Sequence, residues 1–116
     1  MVDTVIAVGD KLHIMTRRLF DGDIRRHFVG EVKAVSTYLT ELRGYTFIFQ
    51  PGTNRYCRLP ELRTRLFAVG EAGYTVNKIP RDLDLDAIGY QVVDSRLVLT
   101  DGKSFVLPIN EFGVTS

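Results

Sequence analysis

Apolar side chains return at every second position along most of this chain, and glycine, proline and aspartate interrupt the alternation at short intervals. A period of two is the signature of the half-buried β-strand, whose successive side chains point to opposite faces. Lys11 to Arg18 sets Leu12, Ile14 and Thr16 against His13, Met15 and Arg17, and Asp21-Gly22-Asp23 then breaks it. His27 to Val35 alternates in the same way. Leu39 to Phe49 is the strongest run, with Tyr45, Phe47 and Phe49 on one face and Thr46 and Ile48 on the other. Pro51-Gly52 is a turn pair between this run and Arg55 to Leu59, because proline presets φ and glycine accepts positive φ.

The remainder continues in the same style. Glu61 to Val69 reads as a strand in preference to a helix, with Leu62, Thr64, Leu66 and Ala68 on one face and Arg63, Arg65, Phe67 and Val69 on the other. Tyr74 to Ile79 is a short strand closed by Pro80. Three apolar runs end the chain, Tyr90 to Val93, Arg96 to Thr100 and Lys103 to Leu107, linked by Asp94-Ser95 and Asp101-Gly102. Asp-Gly between β-prone runs predicts a hairpin with a type I′ turn. Helical turns are confined to short stretches near residues 2–8 and 82–88. The expectation is an all-β chain whose buried residues include Leu12, Ile14, Phe28, Val32, Leu42, Phe47, Phe49, Leu66, Val98 and Phe105.

A length of 116 residues suits one domain, and two separate cores would each be marginal. One cysteine, Cys57, excludes an internal disulfide framework and a multi-thiolate zinc site. No stretch approaches the ~20 apolar residues that span a bilayer, and the first residues lack the basic region of a signal peptide. The expected location is cytoplasmic, with no membrane partner.

One stretch carries a resemblance. Phe28-Val29-Gly30-Glu31-Val32-Lys33-Ala34-Val35-Ser36, followed by Leu39-Thr40, resembles the first motif of the Sm-like (Lsm) proteins, which are SH3-like small barrels. Ala68-Val69-Gly70-Glu71 stands where their second motif falls. The likeness spans about residues 10–79. It implies a barrel of about five curved strands over residues 1–80 and subunits joined edge to edge in a ring. Residues 81–116 have no counterpart and are expected to pack on the barrel as a hairpin or meander within the same compact domain. Ser36, Thr40 and Val69 replace the family's usual Asp, Asn and Arg, so the uridine pocket is not implied.

Charge is nearly balanced, with 15 Lys+Arg against 14 Asp+Glu, unlike a dedicated nucleic-acid binder. The distribution is uneven, because residues 11–68 carry 11 basic and 5 acidic side chains. Arg17, Arg18, Arg25, Arg26, Arg55, Arg58, Arg63 and Arg65 are interleaved with Tyr38, Tyr45 and Tyr56. Basic groups beside aromatics hold single strands by phosphate contact and base stacking. The candidate contacts for nucleic acid or a partner are therefore Arg17, Arg25, Arg63, Arg65, Tyr38 and Tyr56.

Catalytic chemistry is hard to assemble. His13 and His27 are the two histidines, and Arg25 and Arg26 oppose a charge on His27. Cys57 lies between Tyr56 and Arg58 with no nucleophile signature around it. Asp82, Asp84 and Asp86 alternate with leucine, but Ala87 and Val93 stand where a calcium loop needs Gly and Glu. Acids in a first helical turn explain them better. No Gly-rich phosphate loop is present. The sequence thus predicts no catalytic residue, metal or cofactor. The leading expectation is a non-enzymatic β-domain, an accessory or structural component of cellular or phage origin, that works by self-assembly as a homo-oligomer or by partner binding. A weak Sm-like nucleic-acid module is the alternative, and a small-molecule or metal-dependent enzyme is the third.

Overall fold

A computed structural model describes residues 5–16, 25–50, 52, 55–70 and 73–109. Arg17, and the Pro51 half of the Pro51-Gly52 turn, lie outside them. The strands of the described residues pair antiparallel in every case and no α-helix occurs among these residues, as the alternation predicts.

The first sheet is built from β1 (Lys11–Thr16), β2 (Arg26–Val35), β3 (Thr40–Gln50), β4 (Arg55–Arg58), β5 (Arg63–Phe67) and β6 (Tyr74–Ile79). Its order is β4-β3-β2-β1-β6, and β5 also pairs with β3. The long third strand serves two partners in turn. Thr40 to Gly44 pairs with β5, and Phe47 to Gln50 pairs with β4. No pairing joins β5 to β6 among the described residues, so this sheet curls without closing into a barrel. Across that gap the rings of Phe67 and Tyr74 meet edge to face at 5.7 Å.

Alternation sends the two faces of the curled sheet into two different cores. Leu12, Ile14, Phe28, Val32, Leu42 and Phe67 fill the inner face. The outer face carries His13, His27, Val29, Phe47 and Ile79. A second sheet covers it, made of β7 (Gly89–Val93), β8 (Arg96–Thr100) and β9 (Val106–Pro108) in that order. Leu83, Ile88, Leu99 and Ile109 join Val29, Phe47 and Ile79 in the second core.

At the bend of β3 two glycines face each other, Gly30 of β2 and Gly44 of β3. A Cβ on Gly44 would lie 1.9 Å from the Val29 carbonyl oxygen, and one on Gly30 would lie 2.7 Å from the Phe28 ring. The missing side chains let the backbones close up and leave the Phe28 ring room on the inner face. This is the physical use of a glycine inside a strand.

Several expectations need correction. Leu66 is 61% exposed, because the inward position on β5 belongs to Phe67, opposite buried Thr40, while Leu66 stands opposite Glu41 on the outer face. Phe49 is half-buried under Arg25, whose guanidinium lies 5.4 Å from its ring centre. Phe105 is also half-buried, since it sits in a loop. The tight turn is at Asp94-Ser95, where both residues adopt positive φ, 52° and 66°. The Asp101-Gly102 hairpin has a longer loop, with Thr100 paired to Val106. The reason is local. The Asp101 carboxylate accepts the Lys103 and Phe105 N–H groups at 2.8 and 3.2 Å, so neither is free to start a strand.

The N-terminal turn is tied to the connector between the sheets. Buried Asp10 accepts the Ala7 N–H at 2.9 Å and the Arg81 guanidinium at 2.8 Å, with the Lys78 ammonium 3.5 Å away. The Ala7 hydrogen bond and then Arg81 hold its carboxyl below the ordinary value. Lys11 donates to the carbonyl of Leu83 at 2.6 Å.

Substitution Gly44→Ala tests the strand crossing. The clash is with backbone, so β2 and β3 must separate, and the cost should be about 3 kcal/mol. A urea titration that leaves the midpoint of the variant at the wild-type value would contradict the close approach.

Candidate functional site

The outer face of the larger sheet places two histidines side by side. His13 on β1 and His27 on β2 have the same strand parity, and their ring centres lie 5.3 Å apart and nearly perpendicular. Both are removed from solvent, at 0% and 7% exposure. A buried polar nitrogen is costly unless it finds a partner. The second sheet supplies that partner through Tyr90 on β7.

The Tyr90 hydroxyl sits between the rings, 2.8 Å from His13 Nε2 and in hydrogen-bond contact with His27 Nδ1. Asn77 of β6 lies behind, its amide nitrogen 3.2 Å from His13 Nδ1. With the amide oriented so, the chain of donors runs one way. Asn77 donates to His13 Nδ1, His13 Nε2–H donates to the Tyr90 oxygen, and the Tyr90 hydroxyl donates to His27 Nδ1. Each histidine is neutral in this arrangement. Burial pushes His13 down to about 4. Burial first, then His13 and Arg25, pushes His27 down to about 3. Burial also raises the Tyr90 phenol well above its usual value.

Aromatic rings surround the hydroxyl. Tyr56 of β4 stacks on His27 at 4.5 Å and on Tyr90 at 4.8 Å, and Phe47 meets Tyr90 edge-on at 5.2 Å. Next to this stack, the Arg58 guanidinium lies 4.5 Å from the Tyr45 ring centre and donates to the Asp86 carbonyl at 2.7 Å. The Tyr45 hydroxyl donates to the Asp86 carboxylate. These contacts fasten the 3-10 turn Leu85–Ala87 to β3 and β4.

Among the described residues, the side chains singled out by sequence lie at two ends of β3. Arg63 and Arg65 lie on β5, beside the first half of β3, and Tyr38 is 83% exposed at the tip of the β2–β3 hairpin. Arg25 and Tyr56 lie at the other end of β3, where the Arg25 carbonyl accepts the Phe49 N–H at 3.0 Å. Tyr56 is held in the ring stack. Thr40 is buried. Of the three acidic residues, Asp82 and Asp84 line one groove and Asp86 turns away from it. Asp84 caps the 3-10 turn by accepting the Asp86 N–H at 3.0 Å, and Asp86 turns to Tyr45. An open groove of about 240 Å³ is lined by Asp82, Leu83, Asp84, Ala87, Asp101, Lys103 and Ser104. No group of three or more His, Cys, Asp or Glu placed to hold a metal occurs among the described residues. Cys57 is half-buried with its thiol 3.1 Å from Gln50 Oε1.

Tyr90 and Asn77 are the two members of the network that the strand pattern does not mark. Each reads as an ordinary strand residue. The available signal is the pair of histidines at interior strand positions, whose nitrogens need partners that their own strands do not provide.

Compared with known protein families, curated proteins and solved structures, the chain matches none. No described helix is long and apolar enough to cross a membrane.

Removing the bridging hydroxyl with Tyr90→Phe keeps the ring packing and leaves His13 Nε2 and His27 Nδ1 without their shared partner. The loss should be roughly 1–3 kcal/mol. Thermal or urea unfolding that is unchanged in the variant would show that the bridge contributes nothing to stability.

Proposed function

We propose that this chain is a non-enzymatic β-domain that works by assembling with copies of itself through the open ends of its larger sheet. The observation that carries this reading is β5. It is bonded to β3 on one side alone among the described residues, and next to that free edge Leu66 is 61% and Leu62 44% exposed. An unpaired strand edge with exposed leucines is an aggregation hazard for a monomer, and pairing across subunits removes it. The other end of the sheet, β6, is likewise bonded only to β1 among these residues. Open edges at β5 and at β6 on one curled sheet suit head-to-tail assembly, which closes into a ring when the rotation allows. The buried, mutually satisfied histidines favour a structural part over a catalytic one.

Sedimentation should find a species well above the 13.1 kDa of one chain at tens of micromolar. Leu66→Lys places a cation opposite Glu41 on the same face, so the fold should tolerate it while the charged edge rejects a partner. The variant should sediment as a monomer with an unchanged circular dichroism spectrum. A monomeric wild type overturns the reading.

A second reading is nucleic-acid binding, favoured by Arg25 over the half-buried Phe49 ring. Arg58 is already engaged by Tyr45 and Asp86, and Thr40 and Val69 supply no base-reading amide or guanidinium. Binding of oligo-U and of a mixed-sequence strand should therefore be weak and alike, falling steeply between about 50 and 200 mM salt. Tight binding that prefers oligo-U and survives the higher salt would place this reading ahead of assembly.

A further inference from the structure

The seam between the two sheets combines apolar contacts with a polar bridge made by Tyr90. Val29, Phe47 and Ile79 of the larger sheet meet Leu83, Ile88, Leu99 and Ile109, and these contacts are indifferent to pH. The bridge is different in kind. Its three members are His13 from β1, His27 from β2 and Tyr90 from β7, and only Tyr90 belongs to the smaller sheet. We infer that this bridge is an acid-sensitive latch, whose opening lifts the three-stranded sheet off the outer face of the larger one.

The argument is geometric. One phenol oxygen serves two imidazole nitrogens, and it does so by donating to one and accepting from the other. Protonating both rings turns both facing nitrogens into donors, so the Tyr90 hydroxyl hydrogen loses its acceptor, and the proton added to His13 Nδ1 faces the donor amide of Asn77. It also places two positive rings 5.3 Å apart in a site closed to water. The groups that face the pair give no relief. They are Asn77 from β6, Tyr56 from β4 and Tyr90 from β7, all uncharged, and Arg25 adds further positive charge. No carboxylate among the described residues contributes to either ring. The acid form is therefore accommodated only by exposing the rings, and the cheapest way to expose them is to withdraw β7 with its paired strands, because β1 and β2 are bonded on both sides.

The sign follows from the depressed values. An exposed histidine titrates near 6.5, while the closed seam holds His13 near 4 and His27 near 3. The closed form is thus fully favoured above about pH 6.5 and loses ground as pH falls from there toward those lower values. Between pH 6 and 5 the opening equilibrium should rise roughly 8-fold if one ring takes up a proton on opening and about 60-fold if both do. Opening would uncover Val29, Phe47 and Ile79, an apolar face that the closed form hides from any partner. The latch is independent of the β5 edge and does not rest on self-assembly.

Amide hydrogen exchange on the full chain, corrected for the intrinsic effect of pH, tests the inference. Protection in β7, β8 and β9 should fall by about 8- to 60-fold from pH 6 to pH 5 while β1, β2 and β3 keep theirs. A double variant, His13→Gln with His27→Gln, retains side-chain hydrogen bonding and cannot take up a proton, so its corrected protection should be flat with pH. Tyr90→Phe should already show lowered protection in β7 to β9 at pH 7. Histidine ring titration by NMR needs no variant, and both rings should protonate in step with the loss of protection. The inference fails if protection in β7 to β9 does not change, if both sheets lose protection together, if the glutamine variant keeps the acid step, if Tyr90→Phe leaves exchange at pH 7 unaltered, or if the rings protonate near pH 6.5 while the seam stays closed.

Discussion

One phenol oxygen, that of Tyr90, satisfies two histidine nitrogens that the fold has taken out of water. The pairing of β1 with β2 brings His13 and His27 together on the outer face, and neither nitrogen has a partner on its own strand. A single buried unsatisfied donor or acceptor costs on the order of 1–3 kcal/mol, a sizeable share of the net stability of a small domain. The second sheet therefore does more than cover apolar side chains. It completes a polar network that the first sheet leaves unfinished, which gives the two sheets one preferred way to meet.

That dependence explains how both faces of one sheet are buried in so small a protein. Along β1 the consecutive residues Leu12, His13 and Ile14 are all 0% exposed. The leucine and isoleucine go inward to the first core. The histidine goes outward beneath Tyr90. Glycine at 30 and 44 lets β2 and β3 approach closely enough for the sheet to curl around the first core, and β3 passes from β5 to β4 just beyond that point. The curl then produces the outer surface on which β7 to β9 rest. The connector is pinned from both sides, by Lys11 and Asp10 at one end and by Tyr45 and Arg58 at the other.

The portion of the sheet beyond the reach of the smaller one behaves differently. Around β5 the outer face carries Glu41, Thr64 and Leu66, and no element among the described residues lies over them. Exposed Leu62 and Leu66 therefore mark where the covering stops. The same boundary separates Arg63 and Arg65 on β5 from Arg25 and Tyr56 at the other end of β3.

The alternation and the turn residues by themselves determined the all-β class, the existence and approximate limits of the strands, and the inward positions of Leu12, Ile14, Phe28, Val32 and Leu42. Those features are local, because side-chain direction along a strand and the φ demanded of a turn are settled within a few residues. Leu66 is the exception, exposed where the alternation allows it inward. Both faces of Glu61 to Val69 alternate acceptably, and only the pairing of Thr40 with Phe67 chooses between them. The type I′ turn likewise went to Asp94-Ser95, because the Asp101 carboxylate captured the backbone groups that a tight turn at Asp101-Gly102 would have used. Tertiary structure alone decided that His13, His27, Asn77 and Tyr90, drawn from four strands and two sheets, share one buried site. Residues separated by up to 77 positions meet only after the sheet has curled and been covered, and no periodicity carries that information.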